Sequence, residues 1–461
     1  MIERKSTAGS ENQKLLGDEA YRTGDLDTAK SCYIRHLAAF PHDGGAWTNL
    51  GVVFRREKNF PCALRAQELA HRLAPESPAV QNNMANIFDD VGRHEDAEKL
   101  RRRLLGARPD DLDNVAMHGR SLRSLQRYAE AETVLKAGLG RDPKHAEMQL
   151  QLALTQLTAG KYAEGFGNYR ARWRTGALTP PQLPFERWTG QPLAGKSIVV
   201  LPEQGFGDTL NFSRFFPALK NAGAAITFLC KKPLIRLMAN AAGADRVLSG
   251  MPDGAAFDYW TPMMDIPEAA FAVSPEVPPP PKVAIPADSR QRAARIVSPF
   301  ARYFKVGVVW TGSPGYDRNP FRSCSHQQFL QLCDVADVRL FSLYKGPFLD
   351  DYVKDGTSAF IIDTASDDRD FADCAATIEA MDLVITTDTV TAHIAGSLGK
   401  EVWNLLHWDA FWLYGHTGDR TPWYPSMRLF RQKDPGEWDG LFATVKAALA
   451  ERVAQSGKGA A

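Results

Sequence analysis

The sequence predicts an α plus α/β protein: a solenoid of helical hairpins at the amino-terminal end, then two α/β domains. Three observations carry that reading. Pro41, Pro75, Pro109 and Pro143 stand 34 residues apart, and Ala29, Ala63, Ala97 and Ala131 keep the same step, which is the mark of stacked helical hairpins. From about Pro180 the repeat ends, and short apolar runs alternate with helical patterns and glycine-containing loops. A stiff run holding Pro275, Pro278, Pro279, Pro280 and Pro281 then divides that remainder into two.

Four repeats are clear, at 10–43, 44–77, 78–111 and 112–145, followed by a degenerate fifth that caps an array spanning 10–178. In the fifth, Gly165 replaces the ladder alanine while Gly160, Tyr162, Tyr169 and Trp173 remain. The second repeat carries Trp47, Leu50, Gly51, Phe54, Ala63, Ala70 and Pro75, which resembles the tetratricopeptide pattern over all 34 positions. Small residues at Gly51 and Ala63 let the two helices of a hairpin approach, bulky Trp47 and Phe54 fill the gap, and proline stops the second helix.

Composition narrows the function class. The chain has 461 residues, 44% hydrophobic and 24% charged, an ordinary globular balance. A net charge of +1 makes no electrostatic case for nucleic acid or an anionic membrane. Cys32, Cys62, Cys230, Cys324, Cys333 and Cys374 form no C-x-x-C pair and read as reduced thiols. Residues 1–11 are polar, and nowhere do 18 uncharged apolar residues run together, so the expectation is a cytoplasmic protein without integral membrane contact.

Taken in order, the second part opens with a turn at Gly190, Pro192 and Gly195, then a buried strand at 197–201. The loop that follows holds Gly205 and Gly207 and enters a helical pattern (Leu210, Phe212, Phe215, Phe216, Leu219), a corner where unpaired N–H groups receive anions. By position alone Asp208 reads as a helix N-cap. A strand at 225–230, a helix at 233–242 and a strand at 246–248 complete a first domain, 188–285. The second domain, 300–435, follows a helix at 289–298 and has strands at 305–310, 339–343, 359–362 and 383–386, with a helix at 327–332. A terminal helix at 438–453 lies within 436–455. Two such Rossmann-like domains leave a cleft between facing strand ends, where ligands of open α/β sheets bind.

The runs WTGQPLAGK at 188–196, EQGFGDTL at 203–210, SLYKG at 342–346 and DLVITTDTVTAHIAGSLGK at 382–400 resemble bacterial tetratricopeptide glycosyltransferases. These are similar to the O-GlcNAc transferase and heptosyltransferase families, with GT-B folds. The resemblance implies inverting, metal-independent transfer of a sugar from a nucleotide-sugar to a protein Ser or Thr hydroxyl, the repeats recruiting that protein. Flagellin is one such acceptor and a CMP-linked nonulosonic acid one such donor, although UDP and CMP are not discriminated. It also implies a final helix that crosses back to the first Rossmann-like domain.

Residue by residue, the resemblance makes Asp208 the general base, matching the aspartate of the heptosyltransferase G-D pair. Donor contacts fall to Gly205 and Gly207, to Thr311, Gly312, Ser313, Arg318, Arg322 and Ser323, to Lys345, and to Asp388, Thr389, Thr391 and His393. On the repeats, position six reads Leu15, Asn49, Asn83, Met117, Gln151, a broken form of the asparagine ladder that O-GlcNAc transferases use on acceptor backbones; Asn49 and Asn83, with Asn82 and Asn86 nearby, are the acceptor candidates. No cofactor or metal is expected: Asp368-Arg369-Asp370 has D-x-D spacing but opens a predicted helix at 371–381, where carboxylates complement the dipole. Trp403, Trp408, Phe411, Trp412, Tyr414, Trp423 and Tyr424 are core aromatics, of which one or two are candidates to stack a base or sugar. Two other readings fit the same sequence: transfer to a glycan or lipid-linked acceptor, and a non-catalytic scaffold with a vestigial nucleotide cleft.

Overall fold

The computed structural model describes residues 2–316 and 318–457, with side chains from Asn12 onward. The chain divides into two compact units, 1–156 with 171–177, and 157–170 with 178–461.

The first unit is built of antiparallel helix pairs, Ile2–Thr23 with Leu26–Ala39, Gly44–Arg56 with Phe60–Leu73, Pro78–Asp90 with His94–Ala107, and Leu112–Ser124 with Tyr128–Arg141. Ala29, Ala63, Ala97 and Ala131 are each 0% exposed, so the alanine ladder marks the points of closest helix approach, where a larger side chain has no room. Each proline of the 34-residue series stands two residues past a helix end, and its carbonyl is held by a side chain from the next repeat. Trp47 Nε1 donates to Pro41 O (2.8 Å), Gln81 Nε2 to Pro75 O (2.6 Å) and Gln149 Nε2 to Pro143 O (2.6 Å). Val115 occupies the equivalent position in the fourth repeat and has no donor; there Arg141 Nη1 reaches Pro109 O at 2.6 Å instead.

Tight turns between paired helices need one left-handed residue, and it recurs at the same step: Gly24 (φ 88°), Lys58 (63°), Gly92 (80°) and Gln126 (61°). Glycine meets that requirement without a Cβ penalty, whereas Lys58 and Gln126 carry it as strain.

The second unit begins with the helix Tyr162–Tyr169, the second helix of the degenerate fifth hairpin, so the expected array limit of 178 cuts across two units. Its first parallel sheet contains β1 (Glu186–Arg187), β2 (Ser197–Leu201), β3 (Ala225–Leu229), β4 (Arg246–Leu248) and β5 (Tyr259–Pro262), in the order β1-β5-β2-β3-β4. Its second contains β6 (Phe304–Val309), β7 (Val338–Ser342), β8 (Ile361–Asp363), β9 (Leu383–Thr387), β10 (Val402–Leu406) and β11 (Met427–Arg431), in the order β11-β10-β9-β6-β7-β8. Every residue of β6, β9 and β10 is buried, as parallel strands covered on both faces require. Both sheets reverse direction of growth beside their leading strand, between β2 and β5 and between β6 and β9, and such switch points open a crevice at the strand ends. A helical array followed by two Rossmann-like domains is the fold class read from the sequence.

Several local readings change. The region 327–332 is a 3-10 stretch, His326–Asp334, and 233–242 shortens to a 3-10 turn plus the helix Ile235–Met238. The terminal helix Asp439–Ser456 does not cross to the first sheet: it folds on the second, with Phe442 edge-on to Phe329 (4.9 Å), Lys446 paired to Asp334 (2.6 Å) and Arg452 to Glu401 (2.8 Å). Among the described residues no helix is long and apolar enough to cross a membrane.

The periodic turn yields a direct test. Gln126→Gly removes the left-handed strain at some cost in backbone entropy, and we expect a net gain of roughly 0.5–1 kcal/mol, read as a higher urea midpoint for array unfolding. A loss of stability would show that the side chain at 126 matters more than its backbone angle.

Candidate functional site

The strand β2 ends at Leu201, and the chain turns through Gln204 and Gly205 into the short helix Phe206–Phe212. Gln204 sits at φ 59°, a strained angle for a residue with a side chain. It is held from two sides: its carbonyl accepts from Lys231 Nζ, at the end of β3, and its amide donates to Tyr169 Oη at 3.2 Å. Gly205 is the helix N-cap, so Asp208 is not; it stands at the third helical position and accepts the Gly205 N–H at 2.9 Å. This bond fixes one carboxylate oxygen and leaves the other without a partner among the described residues. Burial pushes Asp208 up to about 6, reinforced by the charge of Asp388, while the Gly205 N–H and the charges of Lys231 and Arg322 pull the other way.

Helix Phe206–Phe212 packs on Val390–Ser397, the helix that follows β9 in the other sheet. Gly207 makes that approach possible: a Cβ built there falls 2.5 Å from His393 Cδ2, so the glycine backbone lies against the imidazole. His393 is buried, with Nδ1 3.1 Å from Tyr424 Oη, and the Tyr424 hydroxyl donates to Asn211 Oδ1 at 2.9 Å. Burial pushes His393 down to about 4, so the ring is neutral at physiological pH; with Tyr424 donating to Asn211, its one N–H is spent from Nδ1 on the Tyr424 oxygen and Nε2 is left as an acceptor. Asp388 accepts from Tyr414 Oη at 3.0 Å in the turn before this helix. Thr389 is the helix N-cap, its hydroxyl 3.0 Å from that of Thr386, and Thr391 is buried one turn on.

The loop after β6 is organised by Asn319, which is buried. Its amide nitrogen donates to Thr311 Oγ1 (3.0 Å), and its oxygen accepts from Gly312 N (3.1 Å) and Arg322 Nε (3.2 Å). Thr311 and Ser323 hydroxyls lie 2.7 Å apart and bond each other, which corrects the expectation that both face a ligand: they brace the loop. Ser313 is exposed at its tip. Arg322 lies over the Tyr316 ring (4.5 Å), and its charge is felt at both Asp208 and His393. Arg318 is paired with Asp409 at 2.6 Å, and Lys345 donates to the carbonyls of Ser366 (2.9 Å) and Asp368, so both cations are anchored within the second domain.

Four expected donor-side positions, Asp388, Thr389, Thr391 and His393, therefore converge with Gly205, Gly207 and Asp208 at the facing strand ends, with Arg322 close enough to act electrostatically. Asn211, Asn319, Lys231 and Gln204 belong to the same constellation and were not singled out from the sequence, and Tyr424, named there only among the aromatics, joins it through its hydroxyl. Asn211 lies one residue beyond the glycine-loop run and Tyr424 stands among the aromatics towards the carboxyl-terminal end, but nothing in their spacing shows that they meet.

Asp370 caps the helix Phe371–Ala380 by accepting Ala372 N (2.9 Å), and Asp368 pairs with Arg292 (2.7 Å). Among the described residues no group of three or more His, Cys, Asp or Glu is placed to hold a metal. Trp403, Trp412, Trp423 and Tyr424 are buried core, while Trp408 is half-buried, edge-on to Phe321 at 5.6 Å, near the Arg318–Arg322 segment. On the repeats, Asn49 donates to Asp18 (2.9 Å) and Asn83 lies 3.4 Å from Thr48 Oγ1. Asn86 uses its carbonyl oxygen on the buried Arg101 at 2.9 Å, so a two-ended amide clamp on an acceptor backbone is not available there.

Residues 14–78, 82–115 and 116–172 match family models described as tetratricopeptide repeat. Over nearly its whole length the chain is similar to Protein FlbA of Caulobacter vibrioides (strain ATCC 19089 / CIP 103742 / CB 15), 23% identical across 96% of this chain and 91% of that protein. Among solved structures, the glycosyl transferase family 9 protein from Veillonella parvula DSM 2008 aligns at 14% identity over 58% of this chain and 98% of that one, with a TM-score of 0.45. A tetratricopeptide repeat protein from Parabacteroides merdae ATCC 43184 aligns at 21% identity over 36% of this chain and 66% of that one, with a TM-score of 0.32. The amino-terminal array accordingly consists of tetratricopeptide repeats.

Proposed function

We propose that this chain is a glycosyltransferase that moves a sugar from a nucleotide-sugar to a Ser or Thr hydroxyl of a polypeptide recruited by the repeats. The observation that carries the reading is the approach of Gly207 to His393, which brings Asp208 on the first domain opposite the Asp388 to His393 turn of the second. Acceptor chemistry and donor chemistry then face each other across one crevice. In the proposed reaction Asp208 takes the proton of the acceptor hydroxyl as its oxygen bonds to the anomeric carbon from the face opposite the departing diphosphate or monophosphate. The bond from that carbon to the phosphate oxygen breaks with inversion, and Arg322 and the N–H groups of the turn at Thr389 stabilise the leaving charge. Asp388 suits ribose hydroxyls, and the exposed Ser313 offers a further phosphate contact. The acceptor class, the donor and the flagellin assignment rest on the sequence resemblance.

A carboxylate at about 6 is mostly ionised at pH 7 yet more basic than an ordinary aspartate, which suits a general base. Because the ionised form is the active one, kcat/KM should rise with pH through about 6 and level off above it. Asp208→Asn should lower turnover by about 100- to 10,000-fold while keeping donor affinity, read as an unchanged thermal shift with the donor. A donor at 100 times its Kd adds roughly 2.7 kcal/mol to stability, so a panel of UDP- and CMP-sugars identifies the nucleotide first. The radiolabelled donor is then incubated with purified flagellin and with cell extract. Label in protein supports the reading; label only in glycan or lipid, or wild-type rates in Asp208→Asn, would remove it.

Gly207→Ala places a methyl group against the His393 ring and should cost about 1–3 kcal/mol of stability through overpacking, with turnover falling alongside it. An unchanged thermal midpoint and rate would show that the two helices separate without consequence.

A further inference from the structure

The first helices of the second, third and fourth repeats carry an unbalanced row of charge. Arg101, 0% exposed, enters from the second helix of the third repeat and donates to Asp89 Oδ2 (3.0 Å), Ser121 Oγ (3.1 Å) and Asn86 Oδ1 (2.9 Å). That contact neutralises Asp89. Asp90, the next residue, is shared by two guanidinium groups, Arg55 Nε at 2.5 Å and Arg120 Nη2 at 3.5 Å. Three arginines thus face two carboxylates, and one positive charge is left over, held between Arg55 and Arg120. These two side chains are 34% and 24% exposed, against 14% for Asp90, so the excess charge is the part that solvent or a partner meets. Beside it, Asn82 and Asn86 turn their oxygens to Arg101, which leaves their NH2 donors without a protein partner among the described residues. Donors exceed acceptors at this point of the row, and the ligand such a surface suits is a carboxylate.

The geometry points to a docking row for an acidic, extended polypeptide segment, in which a Glu or Asp side chain enters between Arg55 and Arg120 in place of Asp90. Asn82 and Asn86 donate to neighbouring carbonyls of the same segment. This rests on the repeats being the acceptor-recruiting arm and names the chemistry of what they recruit: side chains are read through charge, where a backbone clamp would be indifferent to sequence.

The test uses the full chain without donor, so that binding is read separately from transfer. Fluorescein-labelled decapeptides of glutamate, of glycine and serine, and of lysine are titrated by anisotropy, each with an amidated carboxyl terminus. The glutamate peptide should bind, and more weakly as salt shortens the screening length from about 10 Å at 0.1 M towards 3 Å at 1 M. Arg55→Ala and Arg120→Ala should each weaken it about tenfold, Arg120→Lys less so, and Asp90→Asn should tighten it, since the competing carboxylate is gone. Arg65→Ala, on an exposed second helix, is the control and should change nothing. Equal binding of the glycine-serine peptide, or a glutamate affinity that ignores the Arg55 and Arg120 changes in variants with wild-type circular dichroism, would overturn the inference. So would binding that appears only when the peptide's terminal carboxylate is left free. Loss of sugar transfer with binding intact would count against the transferase reading alone.

Discussion

The contact of a glycine backbone with an imidazole ring decides what the second unit can do. Gly207 lies where any Cβ would meet His393 at 2.5 Å, and only because it lacks one does the helix Phe206–Phe212 settle on Val390–Ser397. Two hydrogen bonds then secure the approach, His393 to Tyr424 and Tyr424 to Asn211, linking the second sheet's terminal loop to the first sheet's helix. Arg214 adds a third tie: it donates to the carbonyls of Asn211, Trp423 and Pro278 and so binds the same helix, the same loop and the proline-rich connection at one point. His393, Tyr424, Asn211, Arg214 and Trp423 are buried, where an unmade bond is expensive, so the arrangement is held by the cost of breaking it as much as by the gain of forming it.

Aromatic packing extends this junction into the last hairpin. Phe166, on the helix Tyr162–Tyr169, stacks on Phe271 (5.5 Å, 7°) and meets Phe212, Phe215 and Trp412 edge-on at 6.2, 6.4 and 5.7 Å. Tyr162 accepts from Trp423 Nε1 at 3.2 Å, and Tyr169 holds the amide of Gln204. One helix of a degenerate repeat thus touches both sheet domains and steadies the strained residue that precedes Asp208. Gly165 replaces the ladder alanine for a local reason: a Cβ there would meet Leu157 at 2.7 Å. The degeneracy of the fifth repeat is therefore adaptation to a different neighbour, since its second helix packs on α/β domains and not on another hairpin.

This also explains what could be read from the chain and what could not. The repeat was legible because the same side chains recur against the same neighbours, and β2, β3, β6 and β9 because strands buried on both faces read as unbroken apolar runs. Four residues of β5, ending at Pro262, gave too short a signal. In β10 the apolar run is broken by Asn404, and Trp403, read from the sequence within an aromatic cluster, is strand core, 2% exposed. Asp208 and the Asp388 to His393 turn stood out through local spacing, whereas Asn211 and Tyr424 are 213 residues apart and become partners only when two separately folded sheets meet. Asn86 shows the converse: its helical position marked it as a recognition amide, but Arg101, fifteen residues later, takes its oxygen.

The same dependence reaches the base that the proposed chemistry needs. Asp208 is pushed up to about 6 chiefly by burial and further by the charge of Asp388, which stands on the second domain. Lys231, from the first domain's own sheet, acts in the opposite sense. From the second domain Asp388 and Arg322 act on the carboxylate in opposite senses, and from the first Lys231 and the Gly205 N–H both favour its charged form. Its strength as a base is thus set by groups of both domains, and the proposed chemistry needs the glycine loop of the first and the Asp388 to His393 turn of the second at the same crevice.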